Sequence, residues 1–118
     1  MTDWPYDDSL DALAADGKHH KLVMENEHVR VLETVIPAGA HTAVHTHRWP
    51  SVLYMLSVSD FLRYDDQGNI ITDSRTLPER PPGAAVYVPP MPPHSVRNIG
   101  SSEIRMINVE WKNGKIRD

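Results

Sequence analysis

Seven histidines and no cysteine set the chemistry open to this chain. His45 and His47 flank a single residue on a segment that reads as a strand, so both project to one face while Thr46 takes the other. His94, in a second stretch running from Gly83 to Asn98, is the obvious supplier of a third imidazole. Convergent imidazoles suit a transition metal. With no thiolate available, such a metal must be held by imidazole, carboxylate or water. Among the other histidines only His41 shares the strand parity of His45 and His47, and it is a candidate fourth ligand. His19 and His20 sit between Lys18 and Lys21 and read as solvated surface. Continuing the parity of His47 places Trp49, Ser51, Leu53 and Met55 toward the interior, so Trp49, Ser51 and Met55 are candidate pocket or auxiliary residues. No nucleophile–base pair independent of the histidines, glycine-rich phosphate loop or acidic dyad is present.

Elements able to position these residues are short. Ten prolines and six glycines punctuate apolar runs, which favours a β-rich domain, and 118 residues suffice for one core. Residues 1–21 read as an N-terminal arm with a short helix capped by Ser9 and ended at Gly17, its face formed by Leu10, Leu13 and Ala14. Strands are expected at Leu22–Glu25, His28–Ile36 and His41–His47. Val52–Leu56 is an almost continuous apolar run, the pattern of a strand buried on both faces. Phe61–Tyr64 and Ile70–Thr72 flank the hairpin loop Asp65-Asp66-Gln67-Gly68-Asn69. Ala84–Val88, Val96–Ile99 and Ile104–Trp111 complete the set, with Pro89–Pro93 as a stiff loop before His94. Gly39 and Gly83 open strands at turns that call for positive φ. Residues 112–118 form a polar tail.

The two histidine stretches resemble the paired motifs of the cupin superfamily. The first motif, Gly-x5-His-x-His-x3/4-Glu-x6-Gly, is met by Gly39, His45 and His47, with Ser51 in place of the glutamate and Val58 in place of the last glycine. The second, Gly-x5-Pro-x-Gly-x2-His-x3-Asn, is met by Gly83, Pro89, His94 and Asn98, with Met91 in place of the inner glycine. The resemblance covers roughly residues 22–111 and implies an all-β double-stranded β-helix, a jelly-roll barrel. It also implies that His45, His47 and His94 are metal ligands on the barrel's inner face. Asn98 is read as a hydrogen-bonding residue at a strand end.

The missing glutamate decides the chemistry expected of such a site. Three neutral imidazoles leave a divalent ion its full charge, which favours an anionic or chelating ligand. Three-histidine cupins of this kind include thiol and diketone-cleaving dioxygenases. The leading expectation is therefore a non-haem Fe(II) dioxygenase or related oxidoreductase acting on a small chelating organic substrate. Zn, Ni, Mn and Cu are also compatible with an imidazole set. The alternative is a non-catalytic barrel binding a sugar or organic acid, with or without metal. A net charge of −4 argues against nucleic acid, and no apolar run approaches a membrane span. A cytoplasmic homodimer is expected, since cupins often pair through N-terminal strands or packed sheets.

Overall fold

A computed structural model describes residues 4–112. Nine strands are formed: β1 (His20–Glu25), β2 (Val29–Ile36), β3 (His45–His47), β4 (Ser51–Ser57), β5 (Phe61–Asp65), β6 (Ile70–Asp73), β7 (Ala85–Val88), β8 (Met91–Asn98) and β9 (Ile104–Trp111). They make a five-stranded sheet in the order β1-β2-β9-β4-β7 and a four-stranded sheet in the order β3-β8-β5-β6. Every pairing between these strands is antiparallel. The two sheets place His45, His47 and His94 on strands of the smaller one, facing β2, β4 and β9 across the core.

Alternation along β2 shows how the core is made. Arg30, Leu32, Thr34 and Ile36 are buried, and the residues between them are half-exposed. β4 behaves the same way, which corrects the expectation of a strand buried on both faces. Ser51, Leu53 and Met55 turn inward, while Tyr54 and Leu56 are 45% and 40% exposed. Antiparallel sheets need cover on one face only, so an apolar outer residue does not signal a second layer.

Irregular backbone sits where chain direction or hydrogen bonding requires it. Gly39 and Gly83 have φ of +80° and +90°, as their positions before strands demanded. The prolines before His94 are not all loop: Met91-Pro92-Pro93 begins β8. Proline donates no ladder hydrogen bond, and the structure places these two outside regular pairing. β5 pairs with β8 only from His94 onward, and the β3 register shifts between His45↔His94 and His47↔Met91.

The N-terminal segment is tied to this frame. A 3-10 turn (Asp8–Leu10) is capped by Asp7, and helix α1 (Ala12–Ala15) by Asp11, whose carboxylate accepts from the Leu13 amide. Aspartates, not Ser9, therefore start these turns, and α1 ends at Asp16. Ala12 is fully buried, and β1 begins at His20, two residues before the expected Leu22.

Candidate metal centre

Four imidazoles meet in the barrel. His45 and His94 are cross-strand partners with ring centroids 4.4 Å apart, and His47 lies 5.1 Å from His45 and 5.6 Å from His94. The fourth is His20 at the start of β1, 4.6 Å from His45 and 5.4 Å from His47. Ligand atoms of His20, His45 and His47 all lie within 4.8 Å of one another. All four residues are buried, at 2–7% exposure. His20 is thus no solvated surface residue, and the flanking lysines concealed its role.

Each ring is held through the same nitrogen. His45 Nδ1 is 2.7 Å from the Ala43 carbonyl and His94 Nδ1 is 2.8 Å from the Pro92 carbonyl, each two residues back along the chain. His20 Nδ1 is 3.2 Å from the Asp16 carbonyl and 3.1 Å from Asp16 Oδ2. His47 Nδ1 is 3.0 Å from Glu110 Oε2. Carbonyls and carboxylates accept, so in each neutral ring Nδ1 carries the hydrogen and Nε2 keeps its lone pair. Such outer contacts fix the tautomer and ring orientation that a metal ligand requires.

Burial pushes His45, His47 and His94 far below the ordinary value of an imidazole. His45 falls to about 3, through burial first and then the neighbouring His47 and His20. His47 falls to about 3 for the same leading reason, with His20 adding to it. His94 falls to about 2, through burial and then His45 and His47. These three rings are neutral near pH 7, in the form that donates to a metal.

The supporting carboxylates are anchored. Burial pushes the Asp16 carboxyl up, but His20, His19 and the Ala43 amide outweigh it and hold the group at about 2. His19 Nδ1 donates to Asp16 Oδ1 at 2.9 Å, and Ala43 N to the same oxygen at 3.1 Å. Glu110 is fully buried; desolvation raises its pKa, and Arg30 opposes that shift. Arg30 Nε donates to Glu110 Oε1 at 2.6 Å, and its two terminal nitrogens form a fork on Asp11 at 2.9 and 2.8 Å. A chain of Asp11, Arg30 and Glu110 therefore runs from the cap of α1 to the back of His47.

The other candidate residues fall variously. Met55 lines the cavity onto which the imidazoles open. Ser51 is buried on β4 opposite Glu110 but does not line that cavity. The carboxylate nearest the lost glutamate position in strand pairing is Glu110, which acts behind His47. Trp49 is half-buried but stays out of that cavity, against expectation: Arg30, Arg48 and Lys112 lie 4.9, 5.5 and 5.8 Å from its ring centroid. Residues 48–50 are not strand, so the parity counted from His47 does not survive them. His41 also stays outside the cluster. It is exposed, its Nε2 is 2.9 Å from Ser95 Oγ, and its ring lies 5.2 Å from Tyr64. Residues 42–44 lie outside strand structure, so its parity with His45 is likewise broken.

The cavity has a volume of about 540 Å³. Leu53, Met55, Ile104 and Met106 give it apolar walls, and all four imidazoles reach it. His20, His45 and His47, with ligand atoms within 4.8 Å of one another, and His94 beside them offer nitrogen donors that fit a divalent transition ion and suit the oxygen-preferring Mg²⁺ and Ca²⁺ poorly.

No protein-family model matches the chain. An uncharacterized protein of Methanocaldococcus jannaschii is 25% identical over 75 residues, covering 64% of this chain. The match covers 54% of that relative, so this chain spans about half its length. A solved cupin domain from Bordetella pertussis Tohama I superposes with a TM-score of 0.63 at 24% identity, covering 79% of this chain and 91% of that one. An RmlC-like cupin family protein with a double-stranded β-helix fold, from M. jannaschii, superposes with a TM-score of 0.55 at 19% identity, covering 94% and 92%. The chain has the cupin double-stranded β-helix fold. Within that fold it carries a buried histidine cluster suited to a divalent metal.

Proposed function

We propose that this chain is a metal-dependent cupin oxidoreductase of the non-haem iron type, acting on a small organic ligand that enters the barrel. One observation supports it above the rest. Four buried imidazoles are all tied at Nδ1, free at Nε2, and open onto one apolar cavity of about 540 Å³. His20, His45, His47 and His94 would hold the ion, which when bound supplies Lewis acidity and redox chemistry toward oxygen. The chain's own residues do the rest. Leu53, Met55, Ile104 and Met106 exclude water from the cavity, and Asp16 and Glu110 keep two of the rings oriented.

Metal analysis of untagged protein tests this, followed by oxygen uptake after anaerobic Fe(II) loading. Near one equivalent of iron is expected, with oxygen consumed in the presence of β-diketones, thiol acids or phenolic acids. A second function is favoured by the fourth imidazole. Four ligands leave an octahedral ion two positions, too few for a chelating substrate and oxygen together, so a binding barrel that performs no oxidation also fits. Bound zinc or nickel, with a ligand-dependent rise in melting temperature and no oxygen uptake, would favour that function. In either role we place the protein in the cytoplasm as a homodimer, a pairing supported by the exposed apolar strand β1.

A further inference from the structure

Among the described residues, two guanidinium groups of the cavity wall lack counter-ions. Arg63 and Arg80 both line it, and neither forms an ion pair among the described residues. Arg63 Nε is buried with no hydrogen-bond partner, and the guanidinium lies 5.6 Å from the Phe61 ring. The other charged groups of the cavity wall do not neutralise them. Arg75 is paired with Asp73 at 2.8 Å, Asp60 accepts from Ser74 at 3.0 Å, and Glu79 is exposed.

Position relates Arg63 to the imidazoles. It stands on β5 directly opposite Val96 of β8, and Val96 shares its face of β8 with His94. Arginine stays charged under all ordinary conditions, and a half-buried guanidinium whose Nε lacks a partner is costly unless something complements it.

We propose that Arg63, with Arg80 beside it, is a carboxylate anchor, and that the ligand of this cavity is a short dicarboxylate or similar acid with Arg63 at one end and the histidine cluster at the other. The inference rests on the metal reading for the second anchor alone. A planar guanidinium recognises a carboxylate through paired, charge-assisted hydrogen bonds. The imidazoles add no negative charge to compete with it, and the apolar walls suit the carbon chain between the two ends. Neither arginine belongs to the cupin motifs, and neither stands out in the sequence.

The test compares straight-chain dicarboxylates of two to five carbons with their uncharged diamides, by melting temperature and calorimetry. Wild-type protein and Arg63→Gln are each measured metal-loaded and metal-stripped. The acids are expected to raise the melting temperature of the wild type and the diamides to leave it unchanged. Arg63→Gln should weaken acid binding by roughly 10- to 100-fold. It should also raise the melting temperature of the ligand-free protein, because an uncompensated cation has been removed. Diamides that bind as well as the acids, acids that fail to bind, or a variant that binds acid unchanged would each overturn the proposal. So would a lower ligand-free melting temperature, which would mark Arg63 as a packing residue. Acid binding that depends on Arg63 but is equal with and without metal would leave the anion site standing and remove its second anchor.

Discussion

The imidazoles owe their state to what holds the nitrogen that faces away from the cavity. For His20 that support is Asp16, whose carbonyl and carboxylate both approach Nδ1. Replacing Asp16 with asparagine keeps the carbonyl and the shape but removes the charge, and it weakens the clasp on His19 and the Ala43 amide. Metal affinity is expected to fall by roughly 10- to 100-fold, the usual effect of losing an outer carboxylate. Competition against a chromophoric chelator measures this, and equal affinities would mean that His20 is no ligand. Proton linkage gives a second prediction. The folded values of His45, His47 and His94 are about 3, 3 and 2, against 6.5 for an ordinary histidine. Below 6.5 the unfolded chain takes up protons that the folded chain refuses, so this stability is complete above 6.5 and lost as pH falls toward 3. Asp16 adds a smaller loss in a lower window, between 3.8 and about 2. Metal-stripped protein should therefore melt progressively lower on acidification from pH 6.5. A melting temperature that stays flat down to about pH 4.5 would contradict neutral, buried rings.

At the scale of elements, the ends of the strands carry much of the specification. Asn98 closes β8 and is fully buried. Its amide nitrogen donates to the Ile36 carbonyl at 2.9 Å and to the Ser102 carbonyl at 2.8 Å, while its oxygen accepts from the Gly100 amide at 3.0 Å. One side chain thus joins the end of β2, the end of β8 and the turn into β9. Asn98→Ala removes three hydrogen bonds, the one to the Ile36 carbonyl in buried surroundings, and should cost about 2–4 kcal/mol in urea unfolding. A loss below about 1 kcal/mol would show that the turn re-forms its bonds elsewhere. The role of Asn98 at a strand end was legible from its motif position, although its partner Ile36 lies 62 residues away; positive φ at Gly39 and Gly83 was legible because it depends on neighbours close in the chain. His45 and His47 were legible for the same reason, since two-residue periodicity is local. His20 was not: its place depends on β1 pairing with β2 and on Asp16 at the end of a four-residue helix. Trp49 and His41 were misplaced where strand parity was carried across backbone that is not strand. Arg63 was passed over because its meaning depends on which charges are missing around it, and the order of residues along the chain does not reveal that.

For the molecule as a whole, the larger sheet poses a problem of cover. Its edge strand β1 exposes Leu22, Val23 and Met24 at 44%, 55% and 44%. Three consecutive exposed apolar residues use both faces of a strand, and an open apolar edge invites association. The β1–β2 register shifts between Leu22 and Met24, leaving Val23 without a strand partner. A bulge of this kind deters indefinite strand addition. It leaves side-chain packing against a second copy, where a two-fold axis brings the same three residues from both chains together. The proposed homodimer would have β1 at its centre, and His20 at the start of that strand would link such an interface to the histidine cluster. Sedimentation velocity should show a dimer at micromolar concentration, and Val23→Lys should shift it to monomer by burying a charge in an apolar contact. A wild type that sediments as monomer removes this interface. A Val23→Lys protein that stays dimeric would move the contact to the opposite edge, where Tyr87 on β7 is 62% exposed.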